Sequence, residues 1–162
     1  MTDFFDSLLE KHSWDGTTND EGLAIIKESE GWSSTPYRCP ANVPTIAWGS
    51  TRTDKNEKVT MKHPKVDEEI CEAYLRYELQ HVEHAIQRLL PVELTPNQFS
   101  AVSSWAYNLG TGALQRSTMH QCILREEHEE AADQMLRWVF AGGRKLPGLV
   151  TRRYRERELY LS

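Results

Sequence analysis

The stretch "KESEGWSSTPYRCPANVPTIAWGST", residues 27–51, places Glu30, Cys39 and Thr45 nine and six residues apart among turn-forming residues. A carboxylic acid facing a thiol and a hydroxyl has the parts for water-mediated bond cleavage: one group to donate a proton, two to hold or activate water. Glu30 closes a helical pattern in which Leu23, Ile26 and Glu30 share a face, and Trp32 follows closely. The negative end of the helix dipole and apolar neighbours disfavour the ionised carboxylate and favour a proton donor. On position alone, an exposed last-turn Glu and a buried structural Cys are the plain alternatives.

The elements that position these residues follow from local rules. "TNDE" at 18–21 has the form of a capping box, with Thr18 capping the Glu21 amide, and Gly31 is a natural helix stop. The prolines and short β-branched segments after it predict a small irregular antiparallel sheet. A long amphipathic helix is predicted over about 66–90, with Ile70, Ala73, Tyr74, Tyr77, Val82 and Ile86 as its stripe and Pro91 as its stop. In "LTPNQFSAVSSWAYNLGTG", Thr95 is the N-cap, Pro96 the first helical residue and Gly110 the end. Further helices are predicted at about 118–127, 129–140 and 148–160, with "AGGRKLPG" joining the last two.

Composition narrows the function classes. The chain has 162 residues, enough for one domain with a real core, and no stretch approaches the apolar run of a membrane span. The acidic "MTDFFDSLLEKHSW" lacks the basic start of a signal peptide, so synthesis in the cytoplasm is expected. Cys39, Cys71 and Cys122 are too few and too scattered for a disulfide framework or a zinc pattern, and three reduced thiols, two of them buried, are expected. Net charge is −5, with eight acids against two bases in residues 1–36 and seven bases against two acids in residues 137–162. No basic balance or binding motif indicates nucleic acid. His81, His84 and Glu78 have spacing that could hold a metal, but three polar residues on one helix are more simply a wet face. The alternation in "RRYRERE" is most simply an exposed helix edge.

"EG" followed by "YRCPANVPTIAWGST" resembles the catalytic signature of phage-type lysozymes, or endolysins, of glycoside hydrolase family 24. "LTPNQFSAVSSWAYNLGTGALQRST" and "GGRKLPGLVTRRYRERELYL" resemble later parts of that family, so the likeness runs from about residue 20 to the C-terminus. It implies an α+β lysozyme-like fold: a small N-terminal lobe with a three-stranded antiparallel sheet (18–65), a connecting helix (66–90) and a helical C-terminal lobe (91–162). Residues 1–17 match nothing in the family, and "DFFDSLLEKH" there is predicted as a short extra helix.

The resemblance implies peptidoglycan hydrolysis between N-acetylmuramic acid and N-acetylglucosamine, with Glu30, Cys39 and Thr45 catalytic and neither metal nor cofactor required. It carries Thr51, Tyr107, Asn108, Ser117 and Gln134 over as substrate-binding residues and Arg152 as the arginine that pairs with Glu30. A core aromatic, a helix-end hydrogen-bonder and part of a solvated run are the alternatives for Tyr107, Asn108 and Arg152. A monomer that reaches the periplasm or wall through a holin or a secretion machine is expected, with no integral membrane segment. A lytic transglycosylase and a non-catalytic wall-binding protein are rival readings. The chain departs from the family where "TIGYGHT" reads "TIAWGST" and where Asn42 replaces a turn glycine. No nearby cation is evident to depress the Cys39 thiol, so Cys39 is expected to orient water with Thr45 and the reaction to invert the anomeric carbon.

Overall fold

The computed structural model describes residues 14–162; the predicted "DFFDSLLEKH" helix lies outside the described residues. The first described helix, α1, spans Asp20–Glu30 and is capped by Asn19, whose side chain accepts from the Gly22 amide. Asn19 therefore takes the capping position expected of Thr18. Thr18 instead donates its amide and hydroxyl to Glu83 at 2.9 and 2.8 Å, a tie across 65 residues. Gly31 ends the helix at φ 71°, a backbone angle that glycine adopts without the clash of a Cβ.

Strands β1 (Ser33–Arg38) and β2 (Pro44–Ala47) pair antiparallel. The expected third strand is absent as a strand among the described residues. Residues 50–58 contribute only isolated bridges, Ile46 to Ser50 and Arg52 to Lys58. The polar run "TDKNEK" leaves no alternating apolar face to hold a longer ladder in register.

Helix α2, Glu68–Leu89, is capped by Asp67 and ends at Leu90, one residue before Pro91. Ile70, assigned to the stripe from sequence, is exposed, while Cys71, Leu75 and Leu79 are buried. Cys71, Tyr74, Leu75 and Leu79 join the sheet-side cluster and Val82 and Ile86 the helical one. Helix α3, Pro96–Leu109, carries the predicted capping box, Thr95 with Gln98. The rest of the chain forms α4 (Thr111–Arg116), α5 (Thr118–Leu124), α6 (His128–Met135), a hairpin of β3 (Phe140–Ala141) and β4 (Arg144–Lys145), and α7 (Pro147–Leu161). Helix α4 was not predicted, and α6 stops five residues early, tightening into i→i−3 bonds from the Leu136, Arg137 and Trp138 amides; Gly142 and Gly143, both at positive φ, then turn the hairpin.

Buried side chains form two clusters. Leu23, Ile26, Ile46, Val59, Cys71, Leu75 and Leu79 pack the sheet side, and Phe99, Trp105, Leu114, Met119, Ile123 and Met135 are among those packing the helical side. Tyr107 packs against both.

Where α1 meets α3, a Cβ on Gly22 would stand 2.8 Å from both Ser100 Cβ and Thr18 Cγ2 and 3.0 Å from the Ser100 carbonyl oxygen. Gly22→Ala gains about 1 kcal/mol of helix propensity. Overpacking against backbone costs roughly 1–3 kcal/mol, so a net loss of stability is expected. A urea midpoint at or above the wild-type value would show that the helices can separate without cost.

Candidate active site

Glu30 is the last residue of α1, so its side chain leaves the helix where the chain turns into β1. It is 28% exposed, and Oε1 accepts from Nη1 of Arg152 at 3.1 Å. Trp32 is 52% exposed and provides no dry wall; Glu30 has a guanidinium beside it instead. The other side is closed by Gly49, where a Cβ would lie 3.5 Å from Glu30 Oε2. Gly49 sits at φ 88°, so its backbone angle calls for glycine, while a Cβ there would make only ordinary contact with the carboxylate. Sequence reasoning missed it; the available signal was a glycine in the turn right after a strand.

Arg152 is 3% exposed, which rules out the solvated-run alternative for it. Its Nε donates to Glu156 at 3.0 Å and its Nη2 to the Ser104 carbonyl at 2.9 Å. Arg153 is fully buried, bound to Glu156, Asn108 and the Trp138 carbonyl. Arg152, Arg153 and Glu156 thus form a buried network, contrary to the exposed edge read from "RRYRERE". Helical periodicity brings 152, 153 and 156 to one face, and that face meets α3.

On the sheet side, Tyr37 pairs with Thr45 across β1 and β2, and Cys39 follows Tyr37 by two residues. Residues opposite one another, and residues two apart, share a face of a sheet, so Tyr37, Cys39 and Thr45 point the same way. Burial, then the charges of Glu30 and Cys39, push the Tyr37 phenol up. Tyr37 is a second residue that sequence reasoning missed, although the period of two was visible. Thr45 is buried, and its hydroxyl donates to the Val43 carbonyl at 2.9 Å.

The turn "CPANV" closes with the Asn42 amide donating to the Cys39 carbonyl at 2.7 Å and the Cys39 amide donating to Val43 at 3.1 Å. Asn42 holds φ 61°, a left-handed angle that Asn tolerates in place of glycine. Hydrogen bonds from the Val43 backbone foremost, then from Ala41, hold the Cys39 thiol below the ordinary thiol range. The sequence offered no cation for this purpose; the turn supplies amide donors instead, which stabilise a thiolate in the same direction. Ala47, where the resembling family has glycine, sits at φ 59° and is fully buried, as is Ser50. The altered "TIAWGST" is thus absorbed inside the lobe, at a local backbone cost of roughly 1–2 kcal/mol for Ala47.

A cavity of about 670 Å³ opens on the helical side of Glu30, lined by Asn108, Leu146, Pro147, Thr151, Arg152 and Arg155 among others. Asn108 is therefore at the site, with its side-chain oxygen held by Arg153. Tyr107 turns its hydroxyl to Glu78 at 3.2 Å, and burial raises its phenol far above the ordinary range. Thr51 is exposed on the sheet side, with its amide on Glu78. Two expected contacts are not gathered here. Ser117 is buried as the N-cap of α5, accepting from the His120 amide and donating to Leu114. Gln134 lies on α6, bonded to Glu130 and Arg137. Among the described residues, no group of His, Cys, Asp and Glu is arranged to hold a metal.

The thiol chemistry is directly measurable. Burial pushes Cys71 and Cys122 up, whereas Cys39 is half-exposed and lowered. Iodoacetamide should therefore modify Cys39 first, with a rate that climbs through a midpoint below the ~8.5 of a free thiol. Intact-mass kinetics against pH would contradict the amide-stabilised thiolate if the midpoint lay at 8.5 or higher.

A two-stranded sheet and a helical body joined by a long helix, with Glu30 where the first helix turns into the sheet, give a lysozyme-like α+β fold. The sequence pattern of the phage lysozyme family matches residues 27–156. The chain is 36% identical over 148 residues to an endolysin of Bacillus phage B103, covering 87% of this chain and 52% of that protein. It is 39% identical over 118 residues to a SAR-endolysin of Escherichia phage Mu, covering 73% of this chain and 66% of that protein. It thus spans about half the length of the first of these relatives and two-thirds or slightly less of the second. A crystal structure of a P22 lysozyme mutant superposes with a TM-score of 0.83 at 32% identity, covering 90% of this chain and 99% of that one. The chain belongs to the phage lysozyme family.

Proposed function

We propose that this chain is a muramidase that hydrolyses the β-1,4 bond between N-acetylmuramic acid and N-acetylglucosamine in bacterial peptidoglycan and so lyses the cell wall. The observation that carries this reading is the placement of Glu30, held by buried Arg152 at the end of the helix that turns into the strand pair bearing Thr45 and leading to Cys39. Glu30 gives its proton to the glycosidic oxygen as the bond to the anomeric carbon breaks. Water attacks that carbon from the sheet side, oriented by Thr45 and Cys39, and its proton passes to the Cys39 thiolate. That route has no covalent sugar–enzyme intermediate and inverts the anomeric centre. Asn108, Tyr107 and Thr51 bound the glycan's path.

The chain would act as a monomer, made in the host cytoplasm and delivered to the wall by a holin or a secretion machine. No described helix is long and apolar enough to cross a membrane. Mass spectrometry of digested sacculi tests the reaction: reducing ends support hydrolysis, anhydro ends indicate a lytic transglycosylase, and no soluble product indicates wall binding without turnover. NMR of the first-formed sugar should show the α anomer. A β anomer, or a sugar trapped on Cys39, would replace water activation with nucleophilic catalysis.

A further inference from the structure

Glu78 sits midway along α2, the helix shared by both core clusters, and its two carboxylate oxygens face different parts of the molecule. Oε1 accepts from the Thr51 amide at 2.9 Å and the Arg52 amide at 3.3 Å, both on the segment that leaves the sheet. Oε2 accepts from the Tyr107 hydroxyl at 3.2 Å, on α3 of the helical side. Burial pushes the Glu78 carboxyl up, and the Thr51 amide, the Arg52 amide and the Tyr107 hydroxyl each favour its charged form. Oriented donors of this kind are what a half-buried carboxylate needs in place of the water it has lost.

What these ties hold matters more than their strength. Thr51 comes two residues after Gly49, the residue that closes one side of Glu30. Tyr107 comes one residue before Asn108, which lines the cavity on the other side of Glu30. A change in the distance between the Gly49 turn and the end of α3 would therefore change the gap in which the scissile bond must lie. Small errors in that gap are costly, because a misplacement of about 1 Å can slow a reaction on the order of 10²-fold.

We propose that Glu78 is a positioning residue: one carboxylate clamps the sheet segment and α3 to the middle of α2 and thereby sets the width of the cleft around Glu30. Glu78 acts through Gly49 and Tyr107 and does not touch the reacting atoms. This inference rests on the muramidase reading above.

The test is a double-mutant cycle on sacculus digestion with Glu78→Ala, Glu78→Gln and Tyr107→Phe, reading kcat and KM separately along with the thermal midpoint. Glu78→Ala should lower kcat about tenfold or more, a misplacement of well under 1 Å by the same scale, with KM changing less. Glu78→Gln keeps an oxygen for the two amides and an NH₂ for the Tyr107 oxygen, so it should restore kcat to within a few-fold of wild type. Tyr107→Phe should lower kcat alone, yet add little in the Glu78→Ala background, because both changes release the same clamp. Hydrogen exchange at the Thr51 and Arg52 amides should accelerate in Glu78→Ala and not in Tyr107→Phe. The clamp is overturned if Glu78→Ala keeps wild-type kcat, if the two losses multiply as independent sites do, or if Glu78→Gln is as impaired as Glu78→Ala. Should Glu78→Ala fail to fold, the Glu78→Gln and Tyr107→Phe pair still decides: a kcat for Tyr107→Phe equal to wild type sinks the proposal. A wild-type chain that releases no reducing ends would instead defeat the muramidase reading itself.

Discussion

Glu30→Gln should slow peptidoglycan solubilisation by on the order of 10² to 10⁴-fold, the usual contribution of a general acid. Gln retains an oxygen to accept from Arg152 Nη1, so the end of α1 and the buried arginine keep their partner. The substitution removes only the transferable proton. Thermal unfolding should stay near wild type while turbidity clearance almost stops. Clearance at close to the wild-type rate would move the acid elsewhere. Glu28 also lines the cavity but is exposed and tied to Arg155, which makes it a suitable control for non-specific loss of charge at this rim.

The largest stability effect is expected at Glu156. It is fully buried and accepts from Arg152 Nε, Arg153 Nη1 and the Ser104 hydroxyl, the last at 2.7 Å. Glu156→Ala leaves two buried guanidinium groups without their shared anion, and breaking such a group costs about 3–5 kcal/mol. For a chain of this size each kcal/mol lowers the melting temperature by roughly 2–4 °C, so a fall of about 6–20 °C is expected. Activity should fall too, even where the variant is folded, because Arg152 loses the anchor that aims it at Glu30. A loss under about 1 kcal/mol would mean that solvent reaches the network and screens it. Arg152→Ala would perturb fold and orientation together, because Arg152 is itself part of the buried network. Arg153→Ala would destabilise the same network, since Arg153 is equally buried and shares Glu156.

The helix ends show how far local rules carry. Thr95, Pro96 and Gly110 bound α3 as read from the sequence, and Gly31 ends α1 as expected, because a cap depends on residues within about four positions. The same rule placed α1 correctly but chose Thr18 over Asn19 as its cap. The structure gives Thr18 a distant carboxylate, Glu83, and no local pattern announces a partner 65 residues away. The third strand was expected from the family resemblance, not from the residues themselves. A strand needs an apolar face to be held against something, and residues 51–58 have little of one.

The family and the spacing of Glu30, Cys39 and Thr45 were legible in the chain, because a motif is a property of residue order. So were the alternation that puts Tyr37 and Cys39 on one face and the glycines that break helices. The tertiary structure alone decided that Arg152 reaches Glu30 across 122 residues, that "RRYRERE" turns three charges inward, that Ser117 caps a helix and that Glu78 joins the two sides. It also decided that the backbone of the Cys39 turn holds that thiol below the ordinary range. Charge and hydropathy along the chain set what each segment would bury if it could. Which side chains lose their water, and which distant groups replace it, is settled only when separate segments pack, because desolvation and pairing depend on distance in space and not along the chain.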